Sequence, residues 1–447
     1  MKRILQIAGF ILILVIAYLI ILSQFPKEAG RFPFIVALFL SDLYLWNSFR
    51  AWMKRQKWLV KFTLGLLYWS PLILMSSLVG ARMADVELIA DERAGLLIQG
   101  FIFSAYASKL LPVLFLIIAD LIKGGKVMIK FSHRKHQTAK DKLPGQPITR
   151  SVFIQQIGLV SGGLLFSGLI AGMMKWVHDF KIHRHSINFA NLPQSFNGFR
   201  IVQISDLHLG SWSAKGELQN AVNRINELNP DVIFFTGDLV NYKTDEAFEF
   251  ESILSKFKAE YGVFATLGNH DYGDYTRWSS PEAKSKNMSD LFNFYRRIGW
   301  KLLKNNHAII ERQYGKIAII GVENWGAIAR FPQYGDIEKA KAGSESADVK
   351  ILLSHDPSHW EKLISTEHPD INLTLSGHTH GFQFGVETKY LKWSPAQYAY
   401  KYWAGLYTKE LADGREQYLY VNRGLGTVGY PGRVGILPEI TLIELTT

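Results

Sequence analysis

The stretch INLTLSGHTHG, residues 371–381, ends an apolar run with a glycine and two histidines that one residue separates. The apolar residues before Gly377 are typical of a buried strand. Residues two apart place their side chains on the same side of an extended segment, so His378 and His380 are positioned to act together. Taken alone, such a pair is better explained as two unrelated surface imidazoles. The remainder of the sequence decides between these interpretations.

The same pattern, an apolar run followed at once by Asp, Asn or His, recurs from residue 199 onwards. Predicted strands alternate there with helical stretches, which implies an α/β domain with substantial parallel pairing. Ligands of such sheets gather at the carboxyl ends of the strands. The predicted strands are 200–205, 231–236, 262–267, 316–322, 349–354 and 371–376, and the predicted helices are 214–228, 245–258, 281–298 and 357–366.

The polar residues at these strand ends form a set that suits metal binding. They supply imidazoles, carboxylates and one amide oxygen, but no thiolate, because the sequence contains no cysteine. This mixture suits Mn, Fe or Zn rather than Ca. Two such ions ~3.5–4 Å apart, bridged by a carboxylate, generate a hydroxide at neutral pH and hold both oxygens of an in-line displacement at phosphorus. The set comprises Asp206, His208, Asp238, Asn269, His270, Asp271, His355, His378 and His380.

The series D-x-H, G-D, G-N-H-D, H and G-H-T-H resembles the motifs of the calcineurin-like metallophosphoesterase superfamily, particularly its membrane-attached bacterial branch. The resemblance covers roughly residues 196–447. It implies a four-layer α/β/β/α sandwich of two packed mixed sheets, which the alternation of strands and helices alone does not predict.

The resemblance also implies a role for each residue of the set. His270 matches a catalytic histidine that stabilises the phosphoryl oxygens or protonates the leaving oxygen, and Asp271 is expected to orient it. Asp238 is expected to bridge two divalent ions. One ion would be bound by Asp206, His208 and His380, and the other by Asn269, His355 and His378.

Two arginines in the closing segment NRGLGTVGYPGR, residues 422–433, are candidate substrate-binding residues. Arg423 and Arg433 have the chemistry to contact a phosphate, with ordinary surface charge as the alternative. The aromatic-rich stretch 390–407 precedes them. It is suited to lining a substrate cleft, to the membrane interface, or to packing within the domain.

Residues 1–175 are predicted to form a transmembrane region, because they contain five apolar stretches of the length that spans a bilayer core of ~30 Å. Asp42 and Lys109 fall inside two of these spans, and a structural pair is the favoured explanation. Residues 176–195, with three histidines, are interpreted as a solvated juxtamembrane linker before the metallophosphoesterase domain, 196–447. The predicted spans are 4–23, 32–49, 62–80, 94–122 and 152–174.

Charge predicts the orientation of these spans. The loops 50–61 and 123–150 are strongly basic, whereas the loop 82–93 carries four acidic residues. Basic loops stay in the cytoplasm. We therefore expect a multi-pass protein of the cell (inner) membrane with a cytoplasmic N-terminus and an extracytoplasmic catalytic domain.

These observations predict a metal-dependent phosphoesterase that hydrolyses a phosphomonoester or phosphodiester, with a phospholipid or another membrane-associated molecule as the expected substrate. The alternative is a membrane transport or sensor protein whose domain binds a phosphorylated ligand without turnover, because one span would suffice for anchoring. Nucleic acid is not an expected partner, since residues 176–447 hold 29 Lys and Arg against 31 Asp and Glu. Nothing in the sequence indicates an oligomeric state.

Overall fold

The computed structural model describes residues 2–89, 91–132, 150–212 and 214–447. The chain divides into two compact units, Met1–Ile170 and Ala171–Thr447. The described part of the first unit is built from helices, and the second unit carries the sheets.

Four helices of the N-terminal region are long and apolar enough to cross a membrane, by length and composition: Arg31–Lys54, Trp58–Met83, Arg93–Ile122 and Phe153–Met174. They contain or closely match four of the five predicted spans. The described apolar part of the first helix, Ala8–Gln24, is shorter, so a fifth span there stays a prediction. The helices are α1 (Lys2–Gln24), α2 (Pro26–Ala29), α3 (Arg31–Lys54), α4 (Trp58–Met83), α5 (Glu92–Ser132) and α6 (Arg150–Met174).

The two ionisable residues inside the spans form an ion pair, as expected. Lys109 Nζ lies 2.9 Å from Asp42 Oδ1, and the Asp42 side chain is fully buried. Tyr106 donates its hydroxyl to the other carboxylate oxygen of Asp42. Four of the eight basic residues predicted to fix the orientation of α5 and α6 lie in 133–149, outside the described residues.

The second unit contains two six-stranded sheets. The strand order is β1-β14-β2-β3-β4-β5 in the first sheet and β12-β13-β9-β8-β7-β6 in the second, with β10 and β11 forming a separate hairpin. The strands are β1 (Lys181–Asn188), β2 (Phe199–Ile204), β3 (Val232–Phe235), β4 (Val263–Ala265), β5 (Lys301–Leu302), β6 (Asn306–Arg312), β7 (Gly315–Gly321), β8 (Val349–Leu353), β9 (Leu373–Ser376), β10 (Val386–Glu387), β11 (Lys392–Trp393), β12 (Gly405–Glu410), β13 (Glu416–Val421) and β14 (Glu439–Thr446).

Helices cover the outer face of each sheet. α7 and α10 pack on the first sheet through Leu218 and Phe294, and α11 and the turn 360–364 pack on the second through Ile337 and Trp360. The predicted four-layer α/β/β/α sandwich is therefore confirmed. The helices of this unit are α7 (Lys215–Glu227), α8 (Asp245–Phe248), α9 (Glu251–Leu254), α10 (Pro281–Arg297), α11 (Ile337–Lys341) and α12 (Ser365–Glu367).

Neighbouring residues of one strand enter different cores. Ile201 lies in the core between the two sheets, whereas Val202 lies in the core under the helices. Both faces of β2 are thus buried, which explains why four of its six residues are apolar. Strands β2, β3 and β4 run parallel, as do β7, β8 and β9. Their carboxyl ends therefore lie together at one edge of each sheet.

The predicted linker, residues 176–195, is corrected by the structure. Lys181–Asn188 forms β1, which pairs in parallel with β14 along its whole length. The His185 ring packs against Tyr420 with 5.0 Å between the ring centroids. β1 is the edge strand of the first sheet, and its pairing satisfies backbone hydrogen-bonding groups of β14 on that side. It is not a solvated connection.

Candidate metal centre

The predicted metal-binding residues come together where strands of both sheets end. The first sheet contributes loops after β2, β3 and β4, and the second contributes loops after β8 and β9. Nearly all of these side chains are buried. The residues brought together are Asp206 and His208 after β2, Asp238 after β3, Asn269 and His270 after β4, His355 after β8, and His378 and His380 after β9.

Asp206, His208 and His380 form one group whose donor atoms lie within 4.8 Å of one another. His380 Nε2 lies 3.3 Å from Asp206 Oδ1 and 3.0 Å from His208 Nε2. These are the three residues expected to share one ion.

Asp238, His355 and His378 form a second group within the same 4.8 Å limit. His355 Nε2 lies 3.1 Å from Asp238 Oδ2. His378 Nδ1 lies 3.3 Å from His355 Nε2 and 2.8 Å from Asn269 Oδ1. The structure therefore places Asn269 beside this group, where the second ion is expected.

The Asp238 carboxylate lies between the two groups. Its Oδ2 atom is 3.1 Å from His355 Nε2 in the second group and 3.5 Å from His208 Nε2 in the first. One oxygen therefore reaches nitrogen donors of both groups. This is the position that a bridging ligand requires, although the binding of ions by these residues stays a prediction.

The donor atoms fit two divalent ions by their chemistry and spacing. Nitrogen ligands ~2.1 Å from a tetrahedral ion lie roughly 3.4 Å from one another. The separations within the groups, 3.0 to 3.3 Å, are close to this value. The His208 Nδ1 atom is buried and has no hydrogen-bond partner among the described residues.

The electrostatics of the centre keep both carboxylates ionised. Burial by itself would raise the pKa of Asp206, but His380 outweighs it and holds the pKa below its usual range. Burial alone would also raise the pKa of Asp238, but His355 outweighs burial, and the pKa of Asp238 lies below its usual range. Burial would lower the pKa of His355, but Asp238 raises it to about 10. Protonated His355 thus supplies, beside Asp238, the positive charge that a bound cation would supply.

His270 is held with one ring nitrogen toward the site. Its Nδ1 atom lies 2.7 Å from the carbonyl oxygen of Asn241, which requires Nδ1 to carry the proton. The ring packs against Tyr275 at 4.3 Å and edge-on to His208 at 4.8 Å between centroids. No hydrogen bond joins Nε2 to another described residue. That nitrogen is therefore available to a substrate or a water.

The expected role of Asp271 is corrected by its contacts. Both carboxylate oxygens accept backbone N–H groups, from Gly268 at 2.9 Å, Asp238 at 3.0 Å and Leu239 at 2.8 Å. The orienting acceptor for His270 is the Asn241 carbonyl. Asp271 instead ties the loop after β3 to the loop after β4, because its side chain points beneath the site.

The two arginines also differ from expectation. The Arg423 guanidinium binds Glu387, with Nε 2.9 Å from Oε2, and also pairs with the buried Glu439. Its charge is compensated within the protein. Arg433 is fully buried behind His380, with Nη2 3.2 Å from His380 Nδ1 and 2.6 Å from the carbonyl of Gly426. Both side chains are buried in this conformation, and direct binding of substrate by either arginine stays a prediction.

Sequence patterns missed several residues of the site. Tyr400 places its hydroxyl 2.7 Å from His378 Nε2, and Asp356 Oδ2 lies 3.5 Å from the same nitrogen. The position of Asp356 directly after His355 was a usable signal, as was that of Tyr400 within the aromatic-rich stretch 390–407. Nothing in the sequence marks the Asn241 carbonyl.

The backbone conformation of the site was also missed. Asp206, Asp238 and His380 have φ angles of 52°, 60° and 50°, in the left-handed region that residues with a side chain seldom adopt. Such strained conformations cluster at functional sites.

Two family models match this chain. Residues 199–382 match a model described as calcineurin-like phosphoesterase. Residues 29–176 match one described as a probable calcineurin-like phosphoesterase, transmembrane domain. Together they match part of each unit.

Curated relatives come from animals and bacteria. A zebrafish (Danio rerio) transmembrane protein with metallophosphoesterase domain is 32% identical over 63% of this chain and 61% of its own length. The uncharacterized metallophosphoesterase YkuE of Bacillus subtilis is 31% identical over 67% of this chain and 98% of its own length. A Chlamydia trachomatis protein named UDP-2,3-diacylglucosamine pyrophosphatase LpxG is 30% identical over 53% of this chain and 81% of its own length.

The shared position of Asp238 leads to a prediction about metal content. We expect the purified wild-type protein to retain about two equivalents of Mn, Fe or Zn, and Asp238→Asn to lose most of both, because one oxygen serves both groups. Elemental mass spectrometry after dialysis measures this. The control is Asp245→Asn, at an exposed carboxylate. Equal metal content in wild type and Asp238→Asn would contradict the bridging role.

The contacts of Asp271 predict a loss of stability. Asp271→Ala leaves three buried N–H groups without acceptors and should lower the free energy of unfolding by about 3 kcal/mol or more. Asp413 is half-exposed, so Asp413→Ala should change it by less than about 0.5 kcal/mol. Thermal unfolding of the detergent-solubilised protein, followed by tryptophan fluorescence, compares the two. An unchanged melting temperature for Asp271→Ala would show that these bonds contribute little.

Proposed function

Because this chain belongs to the calcineurin-like metallophosphoesterase family, we propose that it is a metal-dependent phosphoesterase that hydrolyses a phosphomonoester or phosphodiester. The observation that carries the proposal is the Asp238 carboxylate between two buried donor groups, with His270 beside them. Groups suited to metal binding and to proton transfer thus lie close to one another, which supports the proposal. The chain covers 61% of the length of the zebrafish relative, so the activity is inferred for this chain from its own site.

The donor groups would hold two divalent ions, Mn, Fe or Zn. Asp206, His208 and His380 would bind one. Asn269, His355 and His378 would bind the other, with Asp238 between them. Bound ions supply a nucleophile from water at neutral pH and neutralise the charge of the phosphoryl group. The protein holds these ligands in place through the parallel strands that precede them, and through backbone N–H groups that donate to Asp206 and Asp238.

His270 would move the proton. Its Nδ1–H is fixed by the Asn241 carbonyl, so Nε2 presents either a lone pair or a proton to the site. A protonated Nε2 would bind a phosphoryl oxygen or donate its proton to the leaving oxygen. A protein that only binds a phosphorylated ligand has no need of this group, which favours turnover over the transport or sensor alternative.

Exposed aromatic side chains that follow His380 in the sequence support a lipid substrate. Phe382, two residues after His380, is 63% exposed, and Tyr390 and Tyr398 are 91% and 78% exposed. Lys389 lies beside Tyr390, and aromatic residues together with lysine are typical of surfaces that contact lipid headgroups. The Chlamydia trachomatis relative is named for a diacylated substrate. We therefore infer that the substrate of this chain is an acylated phosphoester or pyrophosphate.

The catalytic domain would act outside the cytoplasm. The basic connection between α3 and α4 favours a cytoplasmic position, and the acidic connection between α4 and α5 favours the outer side. With α5 and α6 also crossing, residues 175–447 follow on the outer side. A crossing of α1 would change only the side of the N-terminus. The inner membrane of a bacterial cell is the expected location.

The role of His270 is tested by activity measured beside metal content. With Mn added, the full-length protein in detergent should hydrolyse bis(p-nitrophenyl) phosphate, and His270→Ala should lower kcat by about 10²–10⁴-fold. Its metal content should stay unchanged, since His270 is not an expected ligand.

His307→Ala is the matched control for this test, because the Nδ1 of His307 also faces a backbone carbonyl, that of Ala340. Activity of His270→Ala equal to that of His307→Ala would overturn the role of His270. Tight binding of a phosphoester by the wild type without hydrolysis would favour the transport or sensor alternative.

The orientation is testable because the chain contains no cysteine. Tyr314 is fully exposed on the catalytic domain, so a membrane-impermeant maleimide should label Tyr314→Cys in intact spheroplasts. Arg55→Cys, between α3 and α4, should be labelled only after permeabilisation. The reverse pattern would place the catalytic domain in the cytoplasm.

A further inference from the structure

A cavity of about 690 Å³ lies within the N-terminal unit, between α3, α4 and α5. Its walls are apolar over most of their length, with Phe34 and Leu38 from α3, Leu78 from α4, and Ile102 and Ala107 from α5. The volume falls within the ~300–1,000 Å³ of sites that hold small molecules. We refer to this cavity as the helix groove.

The two ends of the helix groove differ in polarity. Arg31 at the start of α3, Arg82 at the end of α4 and Gln99 near the start of α5 line one end. Tyr106 and Leu110 line the other, and the Tyr106 hydroxyl donates to Asp42 at 3.0 Å. The polar end therefore lies at the membrane boundary and the apolar end lies within the bilayer.

The length of the helix groove matches one leaflet. Its lining on α5 runs from Gln99 to Leu110, and eleven steps of an α-helix rise about 16 Å. This is about half of the ~30 Å hydrocarbon core. An acyl chain that entered from the headgroup level would end near the middle of the bilayer.

The charge at the mouth favours an anion. Arg31 is paired with one acidic residue, Glu28. Arg82 is exposed, and no ion pair joins it to another described residue. The acidic residues Asp85, Glu87 and Asp91 of the following connection are exposed to solvent and do not line the helix groove. The lining of the mouth therefore carries two guanidinium groups and no carboxylate, and guanidinium groups bind phosphate strongly.

We propose that the helix groove binds one anionic phospholipid, with an acyl chain along its apolar walls and its phosphate between Arg31 and Arg82. This site lies in a different unit from the metal centre and does not depend on catalysis. It goes beyond the proposed function, because it gives the transmembrane region a ligand of its own.

Native mass spectrometry of the full-length protein tests the headgroup preference. Phosphatidylglycerol and phosphatidylcholine with the same acyl chains are added in turn. We expect the wild type to retain one phosphatidylglycerol and to prefer it over phosphatidylcholine by about tenfold or more. The double variant Arg31→Gln, Arg82→Gln should lose this preference. Arg55→Gln, Lys57→Gln, at the opposite ends of α3 and α4, should keep it.

A steric pair of variants tests the apolar walls. Leu78→Trp fills the helix groove and should abolish retention of phosphatidylglycerol. Leu67→Trp places the same side chain on the outside of α4, where Leu67 is 60% exposed, and should not. Gel filtration and thermal unfolding of both variants establish that they are folded.

Two results would overturn the proposal. One is equal retention of both lipids by the wild type, and the other is equal behaviour of the two tryptophan variants. The His270→Ala variant should bind phosphatidylglycerol as the wild type does, so a failure of the proposed activity leaves this test intact.

Discussion

The candidate metal centre depends on two carboxylates, Asp206 and Asp238, that are buried where strands of the first sheet end. A buried charge costs several kcal/mol unless it is paired and hydrogen-bonded. Here His380 and His355 face the two carboxylates, and the backbone N–H of His378 donates to Asp206 at 3.0 Å. The imidazoles that compensate the buried carboxylates therefore also direct their nitrogen atoms toward the space between the donor groups. A cation in that space would complete the compensation with the same atoms.

The backbone must be strained to bring these groups together. Left-handed conformations of residues other than glycine cost about 1–3 kcal/mol each and persist only where the surroundings determine them. The surroundings here are rigid, because parallel strands fix where each loop begins and Asp271 ties two loops together. The glycines of the motifs allow these loops to approach one another closely. A Cβ atom on Gly268 would lie 2.2 Å from Asp238 Oδ1, and one on Gly237 would lie 2.5 Å from the N atom of Gly268.

Features that depend on burial could be predicted from the sequence. The direction of a side chain, and its contacts with residues distant in sequence, could not. The apolar strands were predictable because both of their faces are buried. The groups formed by Asp206 and Asp238 were predictable because strand ends meet at one edge of a sheet. The ion pairs of Arg423 could not be predicted because its partners, Glu387 and Glu439, are distant in sequence and only the fold brings them close. Asp271 was misassigned because adjacency to His270 says nothing about where its carboxylate points.

The spacing of the two histidines in residues 371–381 acquires its meaning only from the backbone. Their side chains would lie on one side of an extended strand, but the chain leaves the strand at Gly377 and both histidines have positive φ angles. Thr379 anchors the turn by donating its hydroxyl to the carbonyl of Trp403 at 2.6 Å. The turn directs His378 to the second group through Nδ1 and His380 to the first through Nε2. In a regular strand both imidazoles would point to the same side, whereas this turn directs them to two different donor groups.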